Sequence, residues 1–247
     1  MTAPLNTHGC RRSPVAKTVK PVRLRWRVVI DTAEQHAFSF TDIKADAAFY
    51  RKWELCQKTN PNRIDDIEKA MTGADVLIAL SKPGPDTVKP AWIRKMAAKA
   101  IVFACANPVP EIWPWEAKAA GAVVVATGRS DFDNQVNNSL GFPGIFRGTL
   151  DVRARTITDE MCFAAAKALA DHIGSNLSAN QILPTMDDWE IFPREAAAVA
   201  VKAQEQGLAR LSISYEDEFK QAMDIISRSR NLTQMMMKDG FIAQAPV

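Results

Sequence analysis

Short unbroken apolar runs alternate with helical stretches from residue 62 onward, and this alternation is the clearest signal in the chain. Asn62 can cap a helix, with Asp65, Asp66 and Glu68 in its early turns, where acids suit the positive end of the helix dipole. Ile64, Ile67 and Met71 recur at helical spacing, and Gly73 sits where that helix would stop. Residues 76–80 form a continuous apolar run, which predicts a strand buried on both faces of a parallel sheet. The unit then repeats. A turn-rich loop at 81–85 leads to a helix over 91–98 and a buried strand over 101–104. A second loop at 107–110 leads to a short helix over 115–120, stopped by Gly121, and a strand over 123–126.

Beyond the third loop, residues 127–139, the pattern turns helical. A helix is predicted over 142–152. Thr158 can cap a long Ala-rich helix to His172, with Asp159 and Glu160 in its first turn. Another helix runs from Arg194 to near Gly207. Ser214 and Asp217 resemble a capping box, with Asp in the place of the usual Glu or Gln. Phe219, Met223 and Ile226 then line one helical face, and the helix can continue through Met235, Met236 and Met237 to Gly240. That Met cluster reads as core or interface filler. Upstream, strand-like material occurs at 28–30 and 38–41, the latter ending at Asp42. The fold class is therefore α/β: a Rossmann-like, doubly wound parallel sheet, partial, followed by C-terminal helices.

Composition supports a buried core, since 47% of the 247 residues are hydrophobic. No apolar run approaches the roughly 20 residues of a spanning helix, so no membrane partner is expected. Cys10, Cys56, Cys105 and Cys162 lack paired metal-ligand spacing and fit a reducing, cytoplasmic setting. The net charge of +3 conceals an asymmetry. The first thirty residues carry seven basic side chains and no acid, which leaves the rest of the chain at −4. An Arg-rich, acid-poor start fits a transit peptide, a nucleic-acid arm or a plain disordered extension. Residues 1–27 are read as the last of these. No aromatic stacking pattern accompanies the charges, and no nucleic-acid partner is expected.

Ligands of such sheets sit beyond the carboxyl ends of the strands, where three polar loops fall. The first, from Ser81 to Gly84, offers a hydroxyl and a close-approach glycine, or is an ordinary Pro-Gly turn. In the second, Asn107 offers donor and acceptor together, suited to a carboxamide or a hydroxy acid, and Pro108 holds it extended. The third is rich in amides, including Asn134, Asn137 and Asn138, which need partners if the loop is covered. Arg129 in that loop is a candidate anion anchor, or a partner for Asp131 or Asp133. His8, His36 and His172 have no metal-ligand spacing, and no P-loop, GxSxG or HExxH is present. The glycine-rich dinucleotide turn is also missing, because Gly141, Gly144 and Gly148 are spaced wrongly for it.

At these loops the sequence resembles the malic enzyme family in its bacterial short-subunit form. The matching stretches are residues 73–81 (GADVLIALS), 101–112 (IVFACANPVPEI), 126–132 (ATGRSDF) and 137–148 (NNSLGFPGIFRG). The resemblance implies oxidative decarboxylation of malate to pyruvate and carbon dioxide, with NAD or NADP and a divalent Mg2+ or Mn2+. It implies that Asn107 touches nicotinamide and substrate and that Asn137 and Asn138 hold the malate carboxylate. By the same resemblance Ser81 lies near the cofactor and Asp42 contacts the adenosine ribose in NAD users. The chain then divides into the leader 1–27, a malic enzyme-type NAD(P)-binding domain over 28–210 and a helical tail over 211–247.

The family's tyrosine and lysine acid–base residues and its three acidic metal ligands belong to an upstream domain. Tyr50 and Tyr215, the only tyrosines, do not match the family position. No catalytic residue and no metal ligand is therefore assigned. The expectation is a polypeptide incomplete on its own, acting as a homo-oligomer or with a complementing catalytic subunit. The alternative is a non-catalytic fragment or subunit that binds a cofactor or a partner.

Overall fold

The computed structural model describes Ile64 and residues 66–243. The leader, the strand-like runs at 28–30 and 38–41, Asp42, Tyr50, Asn62 and Asp65 lie outside the described residues. In chain order the structure has α1 (Ile67–Met71), β1 (Val76–Ala79), α2 (Pro90–Ile93), β2 (Ile101–Ala104), α3 (Pro114–Ala119) and β3 (Val124–Thr127). A 3-10 turn (Asn138–Leu140) then precedes α4 (Phe142–Asp151), α5 (Asp159–Ile173), α6 (Ile191–Glu205) and α7 (Tyr215–Lys238).

The three strands are parallel in the order β1-β2-β3, with Leu77 level with Val102 and Val125, and Ile78 level with Phe103 and Ala126. The Leu77 face carries the first core. Val102, Val125, Met71, Ile93, Ile112 and Ala117 are buried together there, drawn from the strands, from α1–α3 and from the 105–113 connection. Ile112 is fully buried, worth roughly 1.5–3 kcal/mol of hydrophobic stabilisation. A second core joins Val152, Met161, Ala165, Val199 and Ala203 in the helical layer.

Caps follow the side-chain chemistry. Thr158 accepts from the Met161 amide and Ser214 from the Asp217 amide, as their positions before Ala-rich and amphipathic stretches predict. The first helix is capped by Asp66, whose side chain accepts from the Lys69 amide, so the cap falls later than the Asn62 position expected. The helix expected over 91–98 stops at Ile93 because the following backbone bonds elsewhere. Lys95 O accepts from Gly73 N and Ala97 N donates to Ala74 O, which ties this stretch to the turn before β1. Burial on both faces also fails for β1. It is an edge of the described sheet, and Ile78 is 52% exposed.

Two glycines set the distance between α4 and α6. A Cβ on Gly148 would lie 2.2 Å from the carbonyl oxygen of Ala196, and one on Gly144 would lie 2.3 Å from Glu195 Cβ. Both contacts are far inside van der Waals range, so the crossing exists only because these positions lack side chains.

Candidate functional site

The polar loops after β1, β2 and β3 form one connected edge, and Glu111 is its centre. This carboxylate is fully buried. Its Oε1 accepts from Ser81 N at 2.8 Å and Ser81 Oγ at 3.2 Å, and its Oε2 accepts from Ala106 N at 3.0 Å. The backbone repeats the link, since Val88 N donates to Glu111 O at 3.0 Å and Cys105 N to Ala79 O at 3.0 Å. Burial pushes the Cys105 thiol pKa up, and the Glu111 charge adds to the effect. A buried carboxylate with three donors is the arrangement that makes an interior charge tolerable.

Asn107 follows Ala106 directly and is exposed, with a cis peptide bond to Pro108. Its amide rests on Gly128 of the third loop. A Cβ there would lie 3.2 Å from both Asn107 Nδ2 and Oδ1 and 3.2 Å from Cys105 O. Gly128 in turn accepts from Asn137, whose Nδ2 donates to Gly128 O at 3.1 Å. The Asn137 Oδ1 accepts from Ser139 N at 2.9 Å and Ser139 Oγ at 2.8 Å, capping the 3-10 turn. One Nδ2 hydrogen of Asn137 is left free by these bonds. Asn138 opens the turn, is exposed, and makes no side-chain hydrogen bond among the described residues.

Asn134 and Arg129 of the third loop are tied up in contacts within the fold. Asn134 is buried at φ 54°, in the left-handed region that Asn tolerates. Its Nδ2 donates to Val125 O at 3.0 Å and Ala179 O at 2.7 Å, and its Oδ1 accepts from Ile182 N at 2.9 Å. Arg129 does not stand free as an anion anchor. It donates from Nε and Nη2 to Asp131 at 2.8 and 2.6 Å and from Nη1 to Pro108 O at 3.0 Å. That pairing raises the Arg129 pKa and holds the Asp131 carboxyl below its usual range. Arg129 also lies 5.4 Å from the Phe132 ring centre, beside the stacked Trp113 and Trp115.

The structure thus brings Ser81, Asn107, Asn137 and Asn138 to one edge of the sheet. Asp42 lies outside the described residues. The sequence reading missed Glu111 and Gly128 as organisers of that edge. The available signals were an acid in a proline-rich loop without a basic neighbour, and a glycine directly after a strand. Among the described residues no group of three His, Cys, Asp or Glu side chains converges to hold a metal. No described helix is long and apolar enough to cross a membrane.

A parallel three-stranded sheet with helices, and amides and a serine at its carboxyl edge, is a partial Rossmann-like α/β fold of the kind that takes its ligands at that edge. Comparison with known proteins gives the family. The model for "Malic enzyme, NAD binding domain" matches residues 44–205. The chain is 44% identical over 184 residues to the bifunctional malic/malolactic enzyme of Bacillus subtilis, covering 74% of this chain and 43% of that protein. It is 45% identical over 159 residues to an NAD-dependent malic enzyme of Geobacillus stearothermophilus, covering 64% of this chain and 33% of that protein. The Entamoeba histolytica malic enzyme structure superposes with a TM-score of 0.81 at 48% identity, covering 88% of this chain and 44% of that one. The chain belongs to the malic enzyme NAD-binding domain family, and it spans less than half the length of these relatives.

Proposed function

We propose that this chain supplies the nicotinamide-side half of a malic enzyme, binding NAD or NADP together with malate or pyruvate. When bound, held by Ser81, Asn107 and Asp42, the dinucleotide would supply the hydride acceptor for the oxidative decarboxylation of malate to pyruvate and carbon dioxide. The observation that carries the reading is the continuous contact chain from Ser81 through Glu111 to Asn107, Gly128 and Asn137 across three strand ends. Neutral amides suit this task, because they donate to a carboxylate without neutralising it. Asn138, with Asn107 and the free Nδ2 hydrogen of Asn137, holds the substrate carboxylate. Asn107 also meets the nicotinamide carboxamide, Ser81 lies beside the cofactor, and Asp42 takes the adenosine ribose.

No described residue is assigned to the Mg2+ or Mn2+ of the family reaction, and no proton-transfer residue is assigned either. Those groups are proposed to come from a complementing catalytic subunit, with the chain otherwise assembling as a homo-oligomer. A cytoplasmic site of action accords with Cys105 and Cys162, both free thiols. The test is calorimetric titration of the chain with NAD, NADP and pyruvate, followed by a malate assay with Mn2+. Binding without turnover is expected, and Asn138→Ala should weaken pyruvate binding about tenfold, the loss of one charge-assisted hydrogen bond. Robust turnover by the chain alone would overturn the incompleteness. Binding of neither dinucleotide would favour the non-catalytic, partner-binding alternative.

A further inference from the structure

The Asn137–Asn138 loop stands on α4. The 3-10 turn that begins at Asn138 runs directly into this helix, and Gly141 is its N-cap. The first turn of α4 contains Gly144, and Glu195 of α6 presses against it. A Cβ on Gly144 would lie 2.7 Å from Glu195 Oε2. Glu195 is fully buried, and among the described residues neither carboxyl oxygen has a hydrogen-bond partner. Burial alone pushes its pKa up to about 8, and no charged group adds to the shift.

The far end of α4 meets a second buried acid, Glu218 of α7, whose carboxyl lies against that of Asp151. Burial first, and then the neighbouring Asp151, push its pKa up to about 7, while Arg147 acts in the opposite sense. Arg147 and Asp151, both on α4, pair with each other. A neutral acid fits the seam between α4 and α6. A carboxylate there is an unpaired interior charge, which is relieved only by letting water between the helices.

We propose that Glu195 is a positioning residue: as the neutral acid it seats α4, and with it the Asn137–Asn138 loop, and its ionisation loosens that seat. The effect on substrate rests on the role given to Asn138 above; the effect on the helix seam does not. The sign follows from linkage. The folded state binds this proton more tightly than the unfolded chain, so the stabilisation is full below about pH 4.5 and is lost as pH rises to about 8.

The experiment is amide hydrogen exchange of residues 142–151 in the full 247-residue chain from pH 6 to 9, corrected for intrinsic rates. In the wild type the opening equilibrium of α4 should rise up to about tenfold per pH unit below pH 8 and then level off. Glu195→Gln, which copies the neutral acid, should remove most of that rise and keep the exchange slow. Glu218→Gln in addition should flatten the remainder. An unchanged pH profile in Glu195→Gln would overturn the proposal. Should that variant fail to fold, carboxyl carbon NMR of the wild type decides. Titration of the assigned Glu195 carboxyl above about pH 6.5 supports the proposal, and titration of it below about pH 6.5 overturns it. Pyruvate affinity read on the same samples tests the loop separately. If it does not follow α4 opening, the link to Asn138 is overturned while the seam stands.

Discussion

Two sets of buried acids divide the molecule. At the carboxyl edge of the sheet, Glu111 is fully buried and receives three donors from the ends of two strands. In the helical layer, Glu195 and Glu218 are as deeply buried; among the described residues Glu195 receives no donor and Glu218 faces only the carboxyl of Asp151. The first arrangement fixes geometry, because a satisfied interior carboxylate has one low-energy position and holds its donors with it. The second couples packing to proton concentration, because an unsatisfied acid is tolerated only while it stays neutral. The same residue type therefore serves as a strut in one region and as a titratable wedge in the other.

The sharpest way to break this comparison is to force apart the helices that bury the wedge. Gly148→Ala places a methyl group 2.2 Å from a backbone oxygen that cannot rotate away. It should lower stability by about 3 kcal/mol or more in urea unfolding, with the far-UV spectrum retained at low urea. Glu111→Ala should cost about 2–3 kcal/mol, since it strands donors on Ser81 and Ala106, and it should weaken NAD(P) binding in the same titrations. Glu111→Gln should lose less, because the amide keeps one accepting oxygen.

Asn134→Ala removes three hydrogen bonds to backbone groups and should cost about 1–3 kcal/mol by thermal unfolding. The acid side of the comparison is sharpened by pH. Stability should fall as pH rises through 7 and 8 in the wild type and fall less in Glu195→Gln, read as urea midpoints. Arg129→Ala should move the unfolding midpoint least of all, because its ion pair with Asp131 is solvent-screened. A large loss there would show that the contact with Pro108 O organises the second loop.

The order of strands and helices was legible because each β-run is short, unbroken and followed by a loop with Gly or Pro, and these signals are local. The placement of Asn107 and Asn138 at the carboxyl edge of the sheet was legible from their position in the loops that follow short strands. The faces of the elements were not. Whether Ile78 is covered depends on which elements reach its side of the sheet, and nothing in residues 76–80 encodes that. Glu195 reads in sequence as a surface charge on an Ala-rich helix. Its burial is decided by Gly144, a distant residue whose missing side chain admits α4. Glu111 likewise needs the ends of β1 and β2 in place before its donors exist.

The three bonds of Asn134 have a consequence for how the molecule comes apart. One amide fastens β3 at Val125 to both Ala179 and Ile182, in the connection between α5 and α6. Sheet and helical layer are thereby riveted at a point that neither layer owns. Denaturation should proceed as a single cooperative event, with amide exchange of the strands β1–β3 and exchange of the helices α5–α7 reporting one common opening. Removing the rivet should split that opening, with one layer exchanging before the other.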